Sequence, residues 1–223
     1  MKVKIKKKGK TKSFKVIDSW ADVNLETWSK LIQFTELSKS KEAEETIAAL
    51  SDIPKKLIKE LSIQDVGVIL SKVAELQAEQ DSSLNKIIEI EGKKYGFHPD
   101  FDSMTLGEYA DLEQMITTGI NDRLPDIMAI LYRPVTEEGE NGVYTIEAYD
   151  GNIKIRAEQM KKMSAVQVQN ALVFFYNFVK VLLTTLESFS MQRLQEMKMQ
   201  LPQSLLQKNG VGSESSIDSQ EGR

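Results

Sequence analysis

The chain has a single histidine, His98, set in the stretch GFHPDFD beside Pro99, Asp100 and Asp102, and it has no cysteine. An imidazole among carboxylates suits a metal site or an acid–base pair, but here it has too little company. A transition-metal centre would have to rest on one imidazole and carboxylates. A calcium loop would need spaced oxygen ligands and a closing glutamate that do not follow Asp100 and Asp102. A Ser-His-Asp triad would also have to use His98, and no G-x-S-x-G elbow exists. Neither a Walker loop nor G-x-G-x-x-G occurs, and the glycines of KKGK and EGKK read as turn residues. The neighbouring acids Glu44 with Glu45, and Glu137 with Glu138, lie in polar surroundings where nothing raises a pKa. These residue types predict no catalytic residue, no metal and no cofactor. They assign His98, Asp100 and Asp102 to turns and a helix start, where aspartate and negative charge are favoured.

Three other groups of residues suggest binding. Eight lysines and no acid fall within residues 1–16, so a net charge of −4 for the chain leaves −12 for residues 17–223. Lys6, Lys7, Lys8 and Lys10 form the centre of this strip. It reads as an arm for nucleic acid or an acidic partner, or as an edge hairpin that lysine protects from aggregation. No aromatic residue interleaves the lysines before Phe14, so no base-stacking platform is visible. The second group lies in LYRPVTEEGENGVYTIEAYDG, residues 131–151, where Arg133 precedes Pro134 and Tyr132 and Tyr144 offer amphipathic contact area. A competing reading makes this stretch a strand returning along a helix, with Arg133 paired to an acid such as Glu147. The third is Met191, Leu194 and Met197, a narrow stripe near the end of the last helix that packs on an edge or meets another chain.

The elements that hold these groups can be read from periodicity. Val3, Ile5, Phe14 and Val16 alternate with polar residues about Gly9, and Ile88, Ile90, Tyr95 and Phe97 do so about Gly92, predicting two hairpins. Each precedes one of two similar phrases, WADVNLETWSKL at 20–31 and FDSMTLGEYADL at 101–112, whose apolar positions match at an offset of 81. Both phrases read as capped helix starts, with Asn24 as N-cap in the first and Thr105 with Glu108 as a capping box in the second. A duplicated hairpin-plus-helix unit and chance both explain the echo. MSAVQV offers a third start, with Ser164 as N-cap and Gln167 as its partner, opening a helix over about 165–199. Between these lie helices over SKEAEETIAALSD, PKKLIKEL and the segment after Ser62 and Asp65. LPDIMAILYRP predicts a helix entered near Pro125 and stopped before Pro134, TEEGENG a polar loop, and VYTIEAYDG a strand.

The expected fold is α+β and predominantly α-helical: a helical bundle around a long C-terminal helix with two or three small β-hairpins. Residues 1–80 and 81–201 form two halves packed as one unit, and the Ser- and Gly-rich residues 202–223 read as a disordered tail. The apolar run ALVFFYNFVKVLLTTL is short for a bilayer span and contains Asn177 and Lys180, so it predicts a buried helix rather than membrane. The absence of cysteine and of an apolar leader fits an intracellular protein.

WADVNLETWSKL, FDSMTLGEYADLE and LPDIMAILYRP, followed by YTIEAYD and a long apolar helix, together resemble virion-morphogenesis proteins of tailed bacteriophages, above all the small helical tail assembly chaperones. The resemblance covers roughly residues 15–190, and this chain departs from the simplest members by its hairpins and length. It implies a non-enzymatic protein of the host cytoplasm that binds tape measure or tail-tube subunits during assembly and prevents their aggregation. The alternatives are a structural component of the virion, such as a head-tail connector or ring subunit, and a nucleic-acid-binding regulator using the lysine hairpin. The partners implied are other phage structural proteins of tail or neck, or further copies in a homo-oligomer.

Overall fold

The two period-two segments fold as hairpins in the computed structural model, which describes residues 2–7, 10–78 and 83–185. β1 (Lys2–Lys7) pairs antiparallel with β2 (Lys10–Lys15), setting Val3 opposite Phe14 and Ile5 opposite Lys12. Val3, Ile5 and Phe14 rest against the core, while Lys2, Lys4, Lys12 and Lys15 are exposed. In the second hairpin, β3 (Ile87–Ile90) turns into β4 (Lys93–Phe97) through Glu91 and Gly92, at φ 51° and 78°. Two successive positive φ angles are what a two-residue type I′ turn requires, and glycine adopts one of them without strain.

The similar phrases share backbone as well as residue types. Each begins with a single helical turn, Trp20–Asp22 capped by Ser19 and Phe101–Ser103 capped by Asp100, and each then starts a helix. In α1 (Leu25–Phe34) the Asn24 side chain accepts the Thr27 N–H at 2.9 Å. In α5 (Leu106–Thr118) the Glu108 N–H donates to Thr105 Oγ1 at 3.3 Å, and the Thr105 N–H donates back to Glu108 Oε2 at 2.6 Å. Both N-caps stand as expected, because four N–H groups at a helix start have no partner within the helix. The packing differs: Leu25 is fully buried and its counterpart Leu106 is 81% exposed. Replacing Thr105 by Ala should lower stability by about 1 kcal/mol; an unchanged urea midpoint would count against the box.

Between the phrases come α2 (Lys39–Leu50), α3 (Lys55–Ile58), introduced by Pro54, and α4 (Ile63–Ala78), where Asp65 N–H donates to Ser62 Oγ at 3.1 Å. Gly119 separates α5 from α6 (Ile120–Leu131). The expected start of α6 at Pro125 is five residues late. Pro125 lies inside the helix, near enough to its start that the missing N–H costs one early bond. Ile127, Met128, Ala129, Ile130 and Leu131 are all completely buried, so α6 runs through the centre of the core.

The chain then passes without a loop into β5 (Tyr132–Glu138), a strand where a helix end and polar loop were expected. β6 (Tyr144–Ile146) returns along it, with a register shift between Val135 and Glu137. The result is one four-stranded antiparallel sheet in the order β3-β4-β5-β6, separate from β1-β2. α7 (Ile153–Met160), unforeseen in the sequence, packs on α6.

The last described helix is α8 (Ala165–Thr185). Its start is not the expected capping box: Gln167 Oε1 accepts the Asn85 N–H at 3.2 Å, and Ser164 forms a bridge with Asn24. Across that bridge the Leu25 and Glu26 N–H groups donate to Met163 O and Lys161 O, at 2.8 and 3.0 Å, so the starts of α1 and α8 are fastened together. The expected continuation to 199, with Met191, Leu194 and Met197, and the tail at 202–223 lie outside the described residues. The fold is mixed α+β and mainly helical, with eight helices and two small sheets among the described residues. One cluster of buried apolar side chains extends from Val16 to Val179 and draws on both halves of the chain. Among the described residues no helix is long and apolar enough to cross a membrane.

Candidate functional site

β4, the start of α5 and the start of β5 bring three ionisable side chains together inside the protein. Glu108 is fixed first: besides the Thr105 N–H, the Thr105 hydroxyl donates to its Oε2 at 2.7 Å. Its other oxygen, Oε1, lies 2.7 Å from Arg133 Nη1 and 3.5 Å from His98 Nε2, and all three side chains are at most 6% exposed. Arg133 also faces the Tyr149 ring at 5.9 Å, and the Tyr149 hydroxyl donates to Asp111 on α5. The expected pairing of Arg133 with Glu147 is thus replaced by Glu108. The cause is the register of β5: Arg133 lies opposite Gly96 in β4, at the end of the strand that leads into the α5 turn.

Burial is the largest influence on His98 and holds its pKa below 6.5; Glu108 opposes this and Arg133 reinforces it. For Glu108 burial works upward, but the Thr105 hydroxyl and N–H, with Arg133 and His98, outweigh it and keep the carboxyl below 4.5. Both depressions stabilise the fold toward higher pH. Unfolded His98 takes up its proton near pH 6.5, whereas the folded protein resists it. Stability should therefore be full above about pH 7 and decline as pH falls below 6.5, with His98→Gln abolishing that slope. The Glu108 contribution persists to lower pH and is lost only as pH falls from 4.5 through its depressed folded value. Because the chain has one histidine, urea midpoints between about pH 7 and about pH 5.5 isolate its effect; a flat profile there would contradict the burial of a neutral imidazole.

Beside His98 the surface opens into a cleft of about 430 Å³, lined by Phe97, His98, Phe101, Val143, Tyr144 and Phe174 among others. Phe97, Phe101 and Phe174 form an aromatic corner with ring centroids 5.4 to 6.0 Å apart. Phe174 is 48% exposed, although Val173 and Phe175 beside it on α8 are buried. Val143, at the β5–β6 turn, is 66% exposed. The cleft lies at the end of the sheet and its lining is mixed, with the exposed Phe174 and Val143 standing among polar residues such as Lys86, Asp100 and Asn141.

The binding residues read from the sequence fare differently. Tyr132, Arg133 and Tyr144 are buried in this conformation, and their polar ends serve the fold: Tyr132 OH donates to Asn85 O at 2.8 Å and Tyr144 OH to Phe97 O at 2.6 Å. Of the lysine strip, Lys6, Lys7 and Lys10 lie on the hairpin strands with only their backbone described, and Lys8 lies outside the described residues. Phe174, Phe101 and Val143 were not singled out as site residues. Phe174 sits in a continuous apolar run whose exposed member no pattern marks. Among the described residues no group of three or more His, Asp or Glu is placed to hold a metal ion.

Comparison of the chain with protein-family models, curated proteins and solved structures finds no match. The reading of function therefore rests on the site's own geometry and on the sequence pattern.

Proposed function

We propose that this chain is a non-enzymatic assembly protein of tailed phages, a tail assembly chaperone that binds tape measure or tail-tube subunits while the tail is built. One observation carries the reading. The groups best suited to chemistry, His98, Glu108 and Arg133, are buried and engaged with one another, while Phe174, half-exposed, and Val143, exposed, present apolar side chains to a partner. A protein so arranged meets partners by contact rather than by turnover. Aromatic and methionine surfaces can repack on varied clients, and Met191, Leu194 and Met197 extend the same idea along the sequence. The resemblance in pattern to phage assembly proteins supports the identity of the client.

A structural component of the virion, such as a connector or ring subunit, is the second reading. The exposed Lys2, Lys4 and Lys12 on the first hairpin favour it, since a basic strip suits a surface that faces packaged DNA. Purification of the tagged full chain from cells assembling particles separates the two. The chaperone reading predicts the tape measure or tube subunit among the bound proteins. Recovery of only portal and neck subunits would replace it with the second.

A further inference from the structure

We infer that the free edge of β1, with the groove between it and α4, accepts an extended segment of a partner polypeptide as a third strand, and that this segment alternates apolar and acidic residues. This rests on the reading of the chain as a protein that acts by contact and specifies one surface through which it does so.

The hairpin turns unpaired backbone groups outward at this edge. The Lys15 N–H donates to Asp52 Oδ1 at 2.6 Å, and Lys15 O accepts the Asp52 N–H at 3.0 Å. Both Lys15 groups therefore point away from β1, which makes Lys15 and its register partner Lys2 a non-hydrogen-bonded pair. The alternation of an antiparallel ladder gives Lys4 with Ser13 the same character and leaves the hairpin's bonds to Val3 with Phe14 and Ile5 with Lys12. Lys2 and Lys4 thus direct N–H and C=O to the other edge of β1, where no strand pairs among the described residues. Asp52 holds the outer side of β2, but among the described residues no such backbone bond reaches Lys2 or Lys4. A row of open donors and acceptors is matched in full by another strand.

Beside that edge lies a groove of about 530 Å³, lined by residues 2–5 of β1 and, across from them, by Leu61, Val68 and Ile69 among others, with no residue of β2. Its volume falls within the range of about 300–1,000 Å³ common to ligand sites. Val68 is 57% exposed although Ile69 beside it is buried, so the α4 wall offers open apolar surface. Side chains of an added strand would alternate between two faces. Those on the face of Val3 and Ile5, which rest against the core, meet apolar surface. Those on the face of the exposed Lys2 and Lys4 meet two ammonium groups, for which acids are the favoured cross-strand neighbours. Lys72 adds a third cation to the groove; of the two acids there, Glu60 and Asp65, the second already accepts the Ser62 hydroxyl at 2.6 Å. A second copy of β1 is a poor occupant, because lysine would stand against lysine.

The test titrates the full chain with the acetylated, amidated heptapeptide EVEVEIE and, in parallel, with KVKVKIK, following amide hydrogen exchange by NMR. In the free chain the Lys4 amide should exchange faster than that of Ile5, which is bonded within the hairpin. Saturating acidic peptide should slow exchange at Lys4 by about 10-fold or more, and the lysine peptide should bind more weakly. Lys4→Pro removes the outward N–H while sparing the cross-strand bonds, and should weaken binding of the acidic peptide by about 3- to 10-fold. Val68→Glu, at an exposed position on α4, provides a second variant should Lys4→Pro disrupt the hairpin, with the same loss expected. No saturable binding up to the solubility limit, binding that leaves the Lys4 amide unprotected, equal affinity for the two peptides, or indifference to both variants would overturn the assignment. So would a Lys4 amide already protected in the free chain: the edge would then be covered by a segment of the chain itself or, if protection rises with protein concentration, by a second copy. The two proposals fail separately. A chain that captures tail subunits but leaves the peptide unbound loses the strand site and keeps the chaperone reading. A chain that binds the peptide at Lys4 but captures no tail subunit keeps the site and loses that reading.

Discussion

An Arg133→Met variant should be less stable than the parent by about 3–5 kcal/mol, the penalty typical of removing one partner from a buried ion pair. Glu108 would then keep its Thr105 bonds but face the interior without the guanidinium 2.7 Å from its Oε1. Methionine preserves much of the arginine stem, so lost packing contributes little and the loss reports the charge. Glu108→Gln should also destabilise, because it leaves Arg133 buried beside a neutral amide. The combined variant should cost clearly less than the two single losses added together, since the second change removes the orphan that the first creates. Urea unfolding of the four proteins forms the cycle. Strict additivity, or an Arg133→Met midpoint equal to the parent, would mean that the pair does not hold β5 to α5.

Gly96→Ala should be nearly as damaging, for a steric reason. A Cβ at this position would lie 2.5 Å from Tyr144 Cε2 and 2.8 Å from Ile146 Cγ2. Those atoms belong to β6, and the Tyr144 ring is pinned by its hydroxyl's bond to Phe97 O. The ring cannot swing away without breaking that bond and lifting the strand. Overpacking of this kind costs about 1–3 kcal/mol, and the lost hydrogen bond of a buried hydroxyl adds about 1 kcal/mol. In a Tyr144→Ala background the same Gly96→Ala change should lose most of its penalty. An undiminished penalty there would show that the ring is not what excludes the methyl group.

What could be seen in the sequence, and what could not, follows the range of the interactions. Both hairpins and the N-caps at Asn24 and Thr105 are local, set by residues no more than a few positions apart, and each stands where the spacing placed it. The four-stranded sheet is not local. ILYRPV is a short apolar run that suits a helix end as well as a buried strand, and only its pairing with β4, Tyr95 opposite Pro134 and Phe97 opposite Tyr132, decides the matter. The same holds for the charge cluster. Glu108 was legible as a capping residue and Arg133 as a cation needing an acid, but the 24 residues between them are closed by a topology that residue types do not encode. Ser164 and Gln167 fit a cap by spacing, yet Gln167 accepts from the Asn85 N–H instead, and the Ser164 hydroxyl stays unbonded while the Ser164 backbone bridges Asn24. The cleft was least visible, because Phe174 differs from its buried neighbours only in the direction it faces on α8.

The central claim is that this chain assists assembly through contact surfaces without remaining in the product. Quantitative mass spectrometry of purified mature particles, with the assembling cells measured alongside, tests it most directly. The account predicts the chain to be abundant in the cells and absent from the particles. A fixed, stoichiometric number of copies per particle would contradict it and make the chain a component of the virion.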